Sequence, residues 1–598
     1  MTSCRVDFES LGVRAECADG VLLSEVAHKA GIGLVSTCSG LGLCGRCRVQ
    51  VIAGAVSPLT EAEREWLSAT ELADGYRLAC QTRVLGDIKV HVPASSLLVA
   101  QRLQLVGEEI EVAFEPVVEE CLVALSPASM DDPRPDWARL VEGLESTYRR
   151  RVTTADLMAL RRLSPILREG GWQARVSIRG EEIVDVRPLD RGPLGLAVDL
   201  GTTKIAAHLV DMETGDTLAA EGIMNPQIAY GEDVISRISC AMESGGGKLR
   251  QVVIEGLNEL IEKLCPEPER IVEATLVGNT AMHHLFLGLP VRQLGLAPYL
   301  PAVKASLDVK ARDLGLCIAP GAYVHLLPNV AGFIGADHVA MILATGIYKT
   351  DKTVVGLDIG TNTEVVLAHG GEMRTTSCAS GPAFEARHIK HGMLAASGAV
   401  EKVKILDSAV EFQTVNGAPP IGLCGSGIVD ALAELHRIGL INRRGRLGDG
   451  PRIRQVGNTR EFVLVSGEGS KTGQDITITQ KDISEIQLAK AAIRTGIEAL
   501  LDEAEIAWEQ VEKVILAGAF GTYIDPASAV GIGMFPALPL ERFKQVGNAA
   551  GMGAKLALIS KLQRTNAGEI ARRVRYLELM THPNFPMQFA RAMYFPAE

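Results

Sequence analysis

One short motif occurs twice in the chain, and this repetition constrains the fold more than any other feature. The first copy, in residues 194–205, is an apolar stretch that ends in Asp199 and continues as Gly-Thr-Thr-Lys. The second copy, in residues 353–365, ends in Asp358 and continues as Gly-Thr-Asn-Thr-Glu. Each copy predicts a buried strand with a carboxylate at its end and a tight turn after it. One copy alone would be a weak signal, whereas two copies at domain-scale separation are a strong one.

The chemistry of both copies is suited to binding phosphate groups. Backbone N–H groups and threonine hydroxyls can cradle phosphate oxygens, and two aspartates can orient Mg²⁺ through water. We predict that Asp199 and Asp358, with Asn279 from an intervening segment, are the catalytic residues. The predicted phosphate contacts are Gly201, Thr202, Thr203, Lys204, Gly360, Thr361 and Asn362.

The paired motifs resemble the two phosphate loops of the acetate kinase, sugar kinase, Hsp70 and actin (ASKHA) superfamily. This resemblance implies two ribonuclease H-like halves with ATP in the cleft between them. It also implies an adenosine loop after a late apolar strand, which residues 514–526 match with Gly518, Ala519, Phe520 and Gly521.

A second glycine-rich turn precedes a predicted helix. Gly425, Ser426 and Gly427 could present N–H groups to ribose or phosphate at the start of that helix. The alternative is that these glycines allow a helix and a strand to pack closely.

Four of the twelve cysteines form one cluster. Cys38, Cys44, Cys47 and Cys80 follow the spacing C-x5-C-x2-C-x32-C, with glycines between the first three. Four thiolates at such spacing suit an iron–sulfur cluster or zinc. Zinc sites usually use two C-x2-C pairs, and only one is present, which favours [2Fe–2S] over structural zinc or unligated thiols. The other eight cysteines are predicted to be buried core thiols.

The sequence around the cysteines predicts a β-grasp fold. Residues 3–8 and 12–17 alternate like a hairpin, residues 20–30 have a helical pattern, and residues 48–53 and 87–92 resemble strands. Residues 1–94 therefore resemble a [2Fe–2S] ferredoxin domain of the plant or vertebrate type. The five-residue first gap is more similar to vertebrate and bacterial hydroxylase-associated ferredoxins.

The remaining boundaries follow from composition and periodicity. Residues 95–124 are predicted to be a linker, and residues 125–191 a small α/β middle domain without a catalytic constellation. Within it, residues 137–166 have a helical period and residues 173–188 resemble a hairpin. Residues 192–598 form the predicted ATPase domain. The fold class is thus α/β with several domains.

Composition excludes some functions and locations. The net charge of −12 argues against nucleic acid as the main partner. Mean hydropathy is +0.16, yet no run of about 18 uncharged apolar residues predicts a membrane-spanning helix. The start of the chain does not resemble a signal peptide, so we expect a cytoplasmic protein. We find no P-loop, Rossmann or flavin motif, which predicts an external electron donor.

The chain as a whole resembles the reductive activators of corrinoid proteins. Besides the nucleotide loops, the resemblance rests on residues 225–238, 328–340, 377–393, 478–493 and 546–554. One departure is Thr363, where the family's second phosphate loop often has glycine. The resemblance implies that a [2Fe–2S] cluster passes one electron to the Co(II) corrinoid of a methyltransferase partner, restoring Co(I) with the help of ATP and Mg²⁺. It also implies a homodimer. Whether the partner serves O-demethylation, methylamine use or carbonyl-branch methyl transfer is left open.

A Gly-Pro turn is a candidate contact with the partner. We hypothesise that Ser380, Gly381 and Glu385 meet the corrinoid face of the partner protein. An ordinary turn lining the nucleotide cleft is the alternative.

Three other functions compete. A 2-hydroxyacyl-CoA dehydratase-type activator would carry a [4Fe–4S] cluster at a dimer interface, against which the ferredoxin cysteines argue. A small-molecule kinase with an appended ferredoxin domain would need a substrate pocket with a catalytic aspartate. A nucleotide-gated redox sensor or electron carrier would bind ATP without turnover.

Overall fold

The computed structural model describes most of the chain. The described residues are 3–8, 13–30, 32, 34, 42, 45–93, 96, 107, 108, 110–406 and 409–597. They divide into two compact units, the first comprising residues 1–100 with 224–253 and the second residues 101–223 with 254–598.

The first unit contains a five-stranded sheet with the predicted β-grasp order. The strands are β1 (Ser3–Phe8), β2 (Val13–Ala18), β3 (Arg48–Val56), β4 (Tyr76–Leu78) and β5 (Val84–His91), in the spatial order β2-β1-β5-β3-β4. The predicted hairpin is the antiparallel pair of β1 and β2, and β1 also pairs in parallel with β5. Helix α1 (Leu23–Lys29) buries Leu23, Val26 and Ala27 in the core of this sheet. Two short helices, α2 (Glu61–Trp66) and α3 (Ala69–Ala73), precede β4.

The second unit begins with a four-stranded sheet. Its strands are β6 (Val118–Ala124), β7 (Thr154–Ala155), β8 (Gln173–Arg179) and β9 (Glu182–Arg187), in the order β6-β8-β9-β7. The predicted hairpin is the antiparallel pair of β8 and β9. The helical period of residues 137–166 is divided between α4 (Asp136–Tyr148) and α5 (Leu157–Glu169), because α4 ends at Arg149 in the left-handed conformation and β7 follows.

Two six-stranded sheets form the large C-terminal region. The first has the order β12-β11-β10-β13-β15-β14 and the second β26-β25-β16-β17-β18-β27. Two smaller sheets, β20-β19-β21 and β22-β23-β24, belong to the second half. The strands of the first half are β10 (Leu194–Leu200), β11 (Lys204–Asp211), β12 (Thr217–Met224), β13 (Ile271–Gly278), β14 (Leu307–Lys310) and β15 (Tyr323–Leu326). Those of the second half are β16 (Val354–Ile359), β17 (Thr363–His369), β18 (Glu372–Cys378), β19 (Ala399–Leu406), β20 (Ala409–Thr414), β21 (Gly422–Leu423), β22 (Ile453–Val456), β23 (Thr459–Val465), β24 (Ile476–Thr479), β25 (Lys513–Ala517), β26 (Phe543–Gly547) and β27 (Val574–Tyr576).

The two large sheets repeat one pairing pattern. In each, the strand that carries the repeated motif pairs antiparallel with the next strand, as β10 does with β11 and β16 with β17. On its other side it pairs in parallel with a later strand, β13 or β25, and a further parallel strand follows. This repetition confirms the two related halves that the ASKHA resemblance implies.

The remaining helices are α6 (Val234–Ser244), α7 (Gly247–Leu264), α8 (Thr280–Leu287), α9 (Ala311–Leu314), α10 (Ala336–Thr345), α11 (Gly425–Arg437), α12 (Gln480–Glu503), α13 (Gly518–Gly521), α14 (Pro526–Gly531), α15 (Ala549–Ile559), α16 (Lys561–Arg573) and α17 (Phe585–Ala592). Helices such as α15 and α12 pack on the two large sheets. Helices α10 and α15 pack on each other and share one apolar core with residues of both sheets. Within the described part of the chain, no helix combines the length and apolar character needed to cross a bilayer.

Candidate functional site

A cavity of about 210 Å³ opens where the repeated motifs meet in the second unit. It forms at the carboxyl ends of β10 and β16, where ligands of α/β sheets usually bind. The predicted residues in its wall are Asp199, Gly201, Thr202, Thr203, Lys204, Asn279, Asp358, Gly360, Thr361, Asn362, Glu385, Gly425, Ser426, Gly518 and Phe520. Gly427, Gly521, Ser380 and Gly381 belong to the same turns without lining it, and Ala519 is part of α13.

Equivalent strand ends explain why the two motifs converge. Asp199 lies near the end of β10 beside Val277 of the parallel strand β13, and Asp358 lies near the end of β16 beside Ala517 of β25. The next loop on each parallel strand therefore reaches the same edge of the sheet, bringing Asn279 to one half and Gly518 to the other. Asn279 also caps α8, since its side-chain oxygen accepts the N–H of Ala281 at 3.0 Å.

Four carboxylates lie close together at the end of the cavity formed by the repeated motifs. Burial raises the pKa of Asp199 to about 8, with further contributions from Asp337 and Asp358. Burial also raises the pKa of Asp358 to about 7 and of Asp337 to about 6, and it raises that of Glu364. Burial thus disfavours several negative charges in this cavity, which a divalent cation would compensate.

The donor set fits Mg²⁺ bound together with phosphate. Among the described residues, no group of three His, Cys, Asp or Glu side chains is arranged to hold a metal ion by itself. Mg²⁺ usually retains several waters and is bound through one or two carboxylates and the phosphates of its nucleotide. Asp199 and Asp358 are the predicted carboxylates, and Asn548 donates a hydrogen bond to Asp199.

Asp337, Glu364 and Asn548 were not predicted from the sequence. Glu364 lies within the second motif itself, immediately after Thr363, and its position there was a usable signal. Asp337 stands in the first turn of α10, after Gly335, and Asn548 caps α15. Both occur in segments that carry the family resemblance, but no local pattern distinguishes them as cavity residues.

The Gly-Pro turn places Glu385 against both phosphate loops. The Thr361 hydroxyl donates to Glu385 Oε1 at 2.7 Å, and the Thr203 hydroxyl lies 3.2 and 3.3 Å from its two oxygens. The two hydroxyl oxygens are 3.1 Å apart. Glu385 is thus a cavity residue, as the alternative interpretation of this turn expected. The contact of Ser380, Gly381 and Glu385 with a corrinoid protein stays a prediction.

Aromatic and glycine residues shape the other end of the cavity. The rings of Phe384 and Phe520 stack with centroids 4.8 Å apart. A Cβ on Gly425 would lie 1.7 Å from the carbonyl oxygen of Phe384, and one on Gly427 would lie 2.1 Å from that of Val400. Close packing therefore requires both glycines, while Gly425 also faces the cavity at the start of α11.

The adenosine-loop turn has a backbone requirement of its own. Gly518 has φ +84°, in the left-handed region, and a Cβ there would lie 2.5 Å from Asp358 Oδ1. The turn that begins α13 thus brings the backbone close to the Asp358 carboxylate.

The described part of the predicted cluster site consists of two buried thiols. Cys47 and Cys80 are 1% and 3% exposed. Cys38 and Cys44 lie outside the described residues. Gly42 and Gly45 have φ of +75° and +62°, the left-handed conformation that a tightly curled ligand loop requires. Buried thiols beside such a loop fit a thiolate-bound cluster.

A buried glutamate fixes the segment that carries Cys80. Glu63 is fully buried and accepts hydrogen bonds from Arg77 at 2.8 and 3.0 Å, from the Leu78 N–H at 3.1 Å and from the Thr82 hydroxyl at 3.1 Å. Burial raises its pKa, but the hydrogen bonds from Arg77, Thr60 and Leu78 outweigh burial and leave the pKa lowered. Its Thr60 capping box was visible in the sequence, but its contact with the Cys80 segment was not.

Glu63→Gln is expected to weaken cluster retention. The substitution leaves the 7%-exposed Arg77 without its negative partner, and breaking such a buried pair costs about 3–5 kcal/mol. The visible absorbance of the reconstituted protein should bleach faster on mild heating. Asp7→Asn is the control, because Asp7 pairs with exposed Arg14 at 3.1 Å on the hairpin. Equal bleaching rates for Glu63→Gln and the unchanged protein would contradict this role.

Comparison with known proteins gives the family. The sequence matches four family profiles: the 2Fe-2S iron-sulfur cluster binding domain over residues 6–85, the RACo linker region over 107–192, the RACo middle region over 194–350, and the C-terminal domain of RACo, the ASKHA domain, over 352–598. A corrinoid activation enzyme, RamQ, from Eubacterium limosum is 33% identical over 97% of both chains. The chain belongs to the family of reductive activators of corrinoid proteins.

Other activators support the same assignment. The Methanosarcina barkeri [Co(II) methylated amine-specific corrinoid protein] reductase is 27% identical over 64% of this chain and 74% of its own length. A solved structure, the reductive activator for corrinoid, iron-sulfur protein, superposes with a TM-score of 0.74 at 35% identity and covers 100% of this chain and 98% of its own. The activator described here thus combines a [2Fe–2S]-binding domain with an ASKHA ATPase domain, as predicted. Its exact domain boundaries and site residues stay predictions.

Proposed function

We propose that this activator uses Mg-ATP to return the inactive Co(II) corrinoid of a methyltransferase partner protein to Co(I). The single observation that carries the proposal is the union, in one chain, of a [2Fe–2S]-binding domain and an ATPase cleft. Two relatives that match this chain over nearly their whole length, and that are named as activators of corrinoids or corrinoid proteins, support it. The reaction adds one electron to the cobalt substrate, and an external low-potential donor supplies that electron.

The residues divide between the two domains. Cys38, Cys44, Cys47 and Cys80 would hold the cluster, which supplies a one-electron carrier. In the cleft, Asp199 and Asp358 would orient Mg²⁺, and Thr202, Thr203, Thr361 and Asn362 would bind the phosphates. Phe520 and the start of α11 would enclose the nucleoside.

Nucleotide is required because the electron has to move uphill in potential. Each 100 mV of uphill transfer costs about 2.3 kcal/mol for one electron. ATP can shift that equilibrium only by binding differently to two states of the activator and its partner. We further propose that the activator is a cytoplasmic homodimer and that its partner is the corrinoid protein of a methyltransferase system.

Anaerobic spectroscopy tests the function. The purified activator is mixed with a low-potential reductant, Mg-ATP and a Co(II) corrinoid protein, and the corrinoid absorbance is followed. We expect conversion to Co(I) only when ATP is present. Conversion without ATP would indicate a simple electron carrier instead. Phosphorylation of a sugar or carboxylate without cobalt reduction would indicate a kinase.

A further inference from the structure

The segment that follows β18 contacts the nucleotide loops of the second unit. We call residues 378–387 the cleft turn. Its Ser380 hydroxyl lies 2.9 Å from that of Thr363, next to the second phosphate loop. Its Phe384 stacks on Phe520 of the adenosine-loop turn, and its Glu385 contacts threonines of both phosphate loops. The cleft turn is therefore in direct contact with both phosphate loops and with the adenosine-loop turn, so a movement of any of them would displace its side chains.

The hydrogen bonds of Glu385 use groups that a phosphate would need. A threonine hydroxyl has a single proton and donates one hydrogen bond at a time. Thr361 and Thr203 both point their hydroxyls at the Glu385 carboxylate, at 2.7 and 3.2 Å. Neither can donate to a phosphate oxygen in that arrangement, although both line the cavity. The carboxylate and a phosphate group therefore compete for the same two donors.

Glu385 has a second partner besides the two threonines. Arg387 Nε lies 3.2 Å from Glu385 Oε2, and the side chains of Arg387 and Glu385 are only 8% and 15% exposed. A carboxylate that gives up both threonines thus keeps a charged hydrogen bond in a shielded environment. The contact with Arg387 therefore lowers the free-energy cost of breaking the hydrogen bonds between Glu385 and the threonines.

We propose that Glu385 is a phosphate surrogate, a positioning residue that joins Thr203 and Thr361 in the nucleotide-free protein. The phosphates of ATP take over both hydroxyls, and Glu385 keeps the ion pair that it already makes with Arg387. The cleft turn, with Phe384 and Ser380, shifts with it. This inference rests on the proposed function for its ligand, ATP, and adds the element of the chain that senses the phosphates.

Glu385→Gln tests the competition. The neutral amide oxygen is a weaker acceptor than a carboxylate, and the substitution also removes a negative charge next to the phosphates. We expect Mg-ATP to bind about tenfold more tightly to the full-length variant, measured by titration calorimetry. Adenosine, which lacks phosphates, should bind equally to both proteins. Glu372→Gln is the matched control, because Glu372 lies on β18 with its side chain 47% exposed and forms ion pairs with Arg374 and Arg575.

Arg387→Met provides a prediction of opposite sign. Without Arg387, the Glu385 carboxylate would have no charged partner after losing the threonines, so releasing them would cost more free energy. Mg-ATP should therefore bind more weakly to Arg387→Met. The loss of affinity should be smaller when Arg387→Met is combined with Glu385→Gln. Unchanged or weaker Mg-ATP binding by Glu385→Gln would overturn the inference. So would equally tighter adenosine binding, or a lower kcat at unchanged ATP affinity, which would make Glu385 a catalytic group. Failure of the unchanged protein to bind Mg-ATP would instead refute the proposed function, and the inference with it.

Discussion

Cys80→Ala is expected to abolish cobalt reduction while leaving nucleotide binding intact. Cys80 is buried in the ferredoxin domain, on the segment that Glu63 holds between Leu78 and Thr82. Removal of one of four thiolates leaves an iron–sulfur cluster incompletely ligated, and no neighbouring thiol is predicted to replace it. Visible absorbance and electron paramagnetic resonance should show that the cluster signal is lost. Co(I) formation should fall to background, and Mg-ATP should still bind.

Cys17→Ala is the matched control for that experiment. Cys17 lies on β2 of the same domain, opposite Cys4 in the hairpin, and is not part of the predicted ligand set. Its substitution should leave both the cluster signal and Co(I) formation unchanged. A Cys80→Ala protein that retained a full [2Fe–2S] spectrum would refute the assignment of Cys80 as a ligand.

Asp358→Asn is expected to lower kcat for ATP hydrolysis by about 100- to 1,000-fold, the range for loss of one preorganised electrostatic group. The carboxylate lies in a crowded site where burial and Asp337 raise its pKa to about 7. Because the amide removes one charge from that site, the nucleotide-free variant should unfold at an equal or higher temperature. Asp211→Asn is the control, since Asp211 ends β11 at the opposite end of the hairpin from Asp199.

The same cleft predicts how ATP binding depends on pH. A bound divalent cation favours the charged carboxylates, whereas the empty cleft favours protonated Asp199 and Asp358, with pKa values of about 8 and 7. Binding of Mg-ATP should therefore release protons, and its affinity should fall as pH is lowered through 8 to 7. In Asp358→Asn, the proton release measured in two buffers of different ionisation enthalpy should be smaller. An unchanged proton release would contradict the assigned pKa of Asp358.

Much of the site could be predicted because its chemistry is local in sequence. Asp199 and Asp358 each share a strand end with the Gly-Thr turn that follows, so a few consecutive residues carry the signal. The hairpin of β1 and β2 was equally visible, because its side chains alternate with the period of a strand. Asn279 and Gly518 follow the strands that pair in parallel with the two motif strands. Their positions at the cavity are therefore understandable once the repeated motif is seen in both halves.

The contributions missed by sequence reasoning come from long-range contacts. Asp337 reaches the cavity from the first turn of α10. No sequence pattern around it predicts that this helix begins beside the nucleotide cleft. Glu63 matters through Leu78 and Thr82, which only the folded domain brings to it. Glu385 was predicted either to meet the partner protein or to line the cleft, but its hydrogen bonds were not predicted. The structure places its carboxylate on Thr203 and Thr361 inside the cleft.

The repeated pairing of the two large sheets gives the predicted nucleotide cleft two similar halves, whereas ATP itself has no symmetry. The predicted triphosphate site takes carboxylates and threonines from both halves, and the two motifs carry the same residue type at Asp199 and Asp358. A purine can occupy only one end, and the stacked Phe384 and Phe520 belong to the second half. The phosphate motifs of the two halves are therefore expected to act alike, whereas their nucleoside ends are expected to differ. Equivalent substitutions in the two halves should accordingly have unequal effects wherever they lie beyond the phosphate loops.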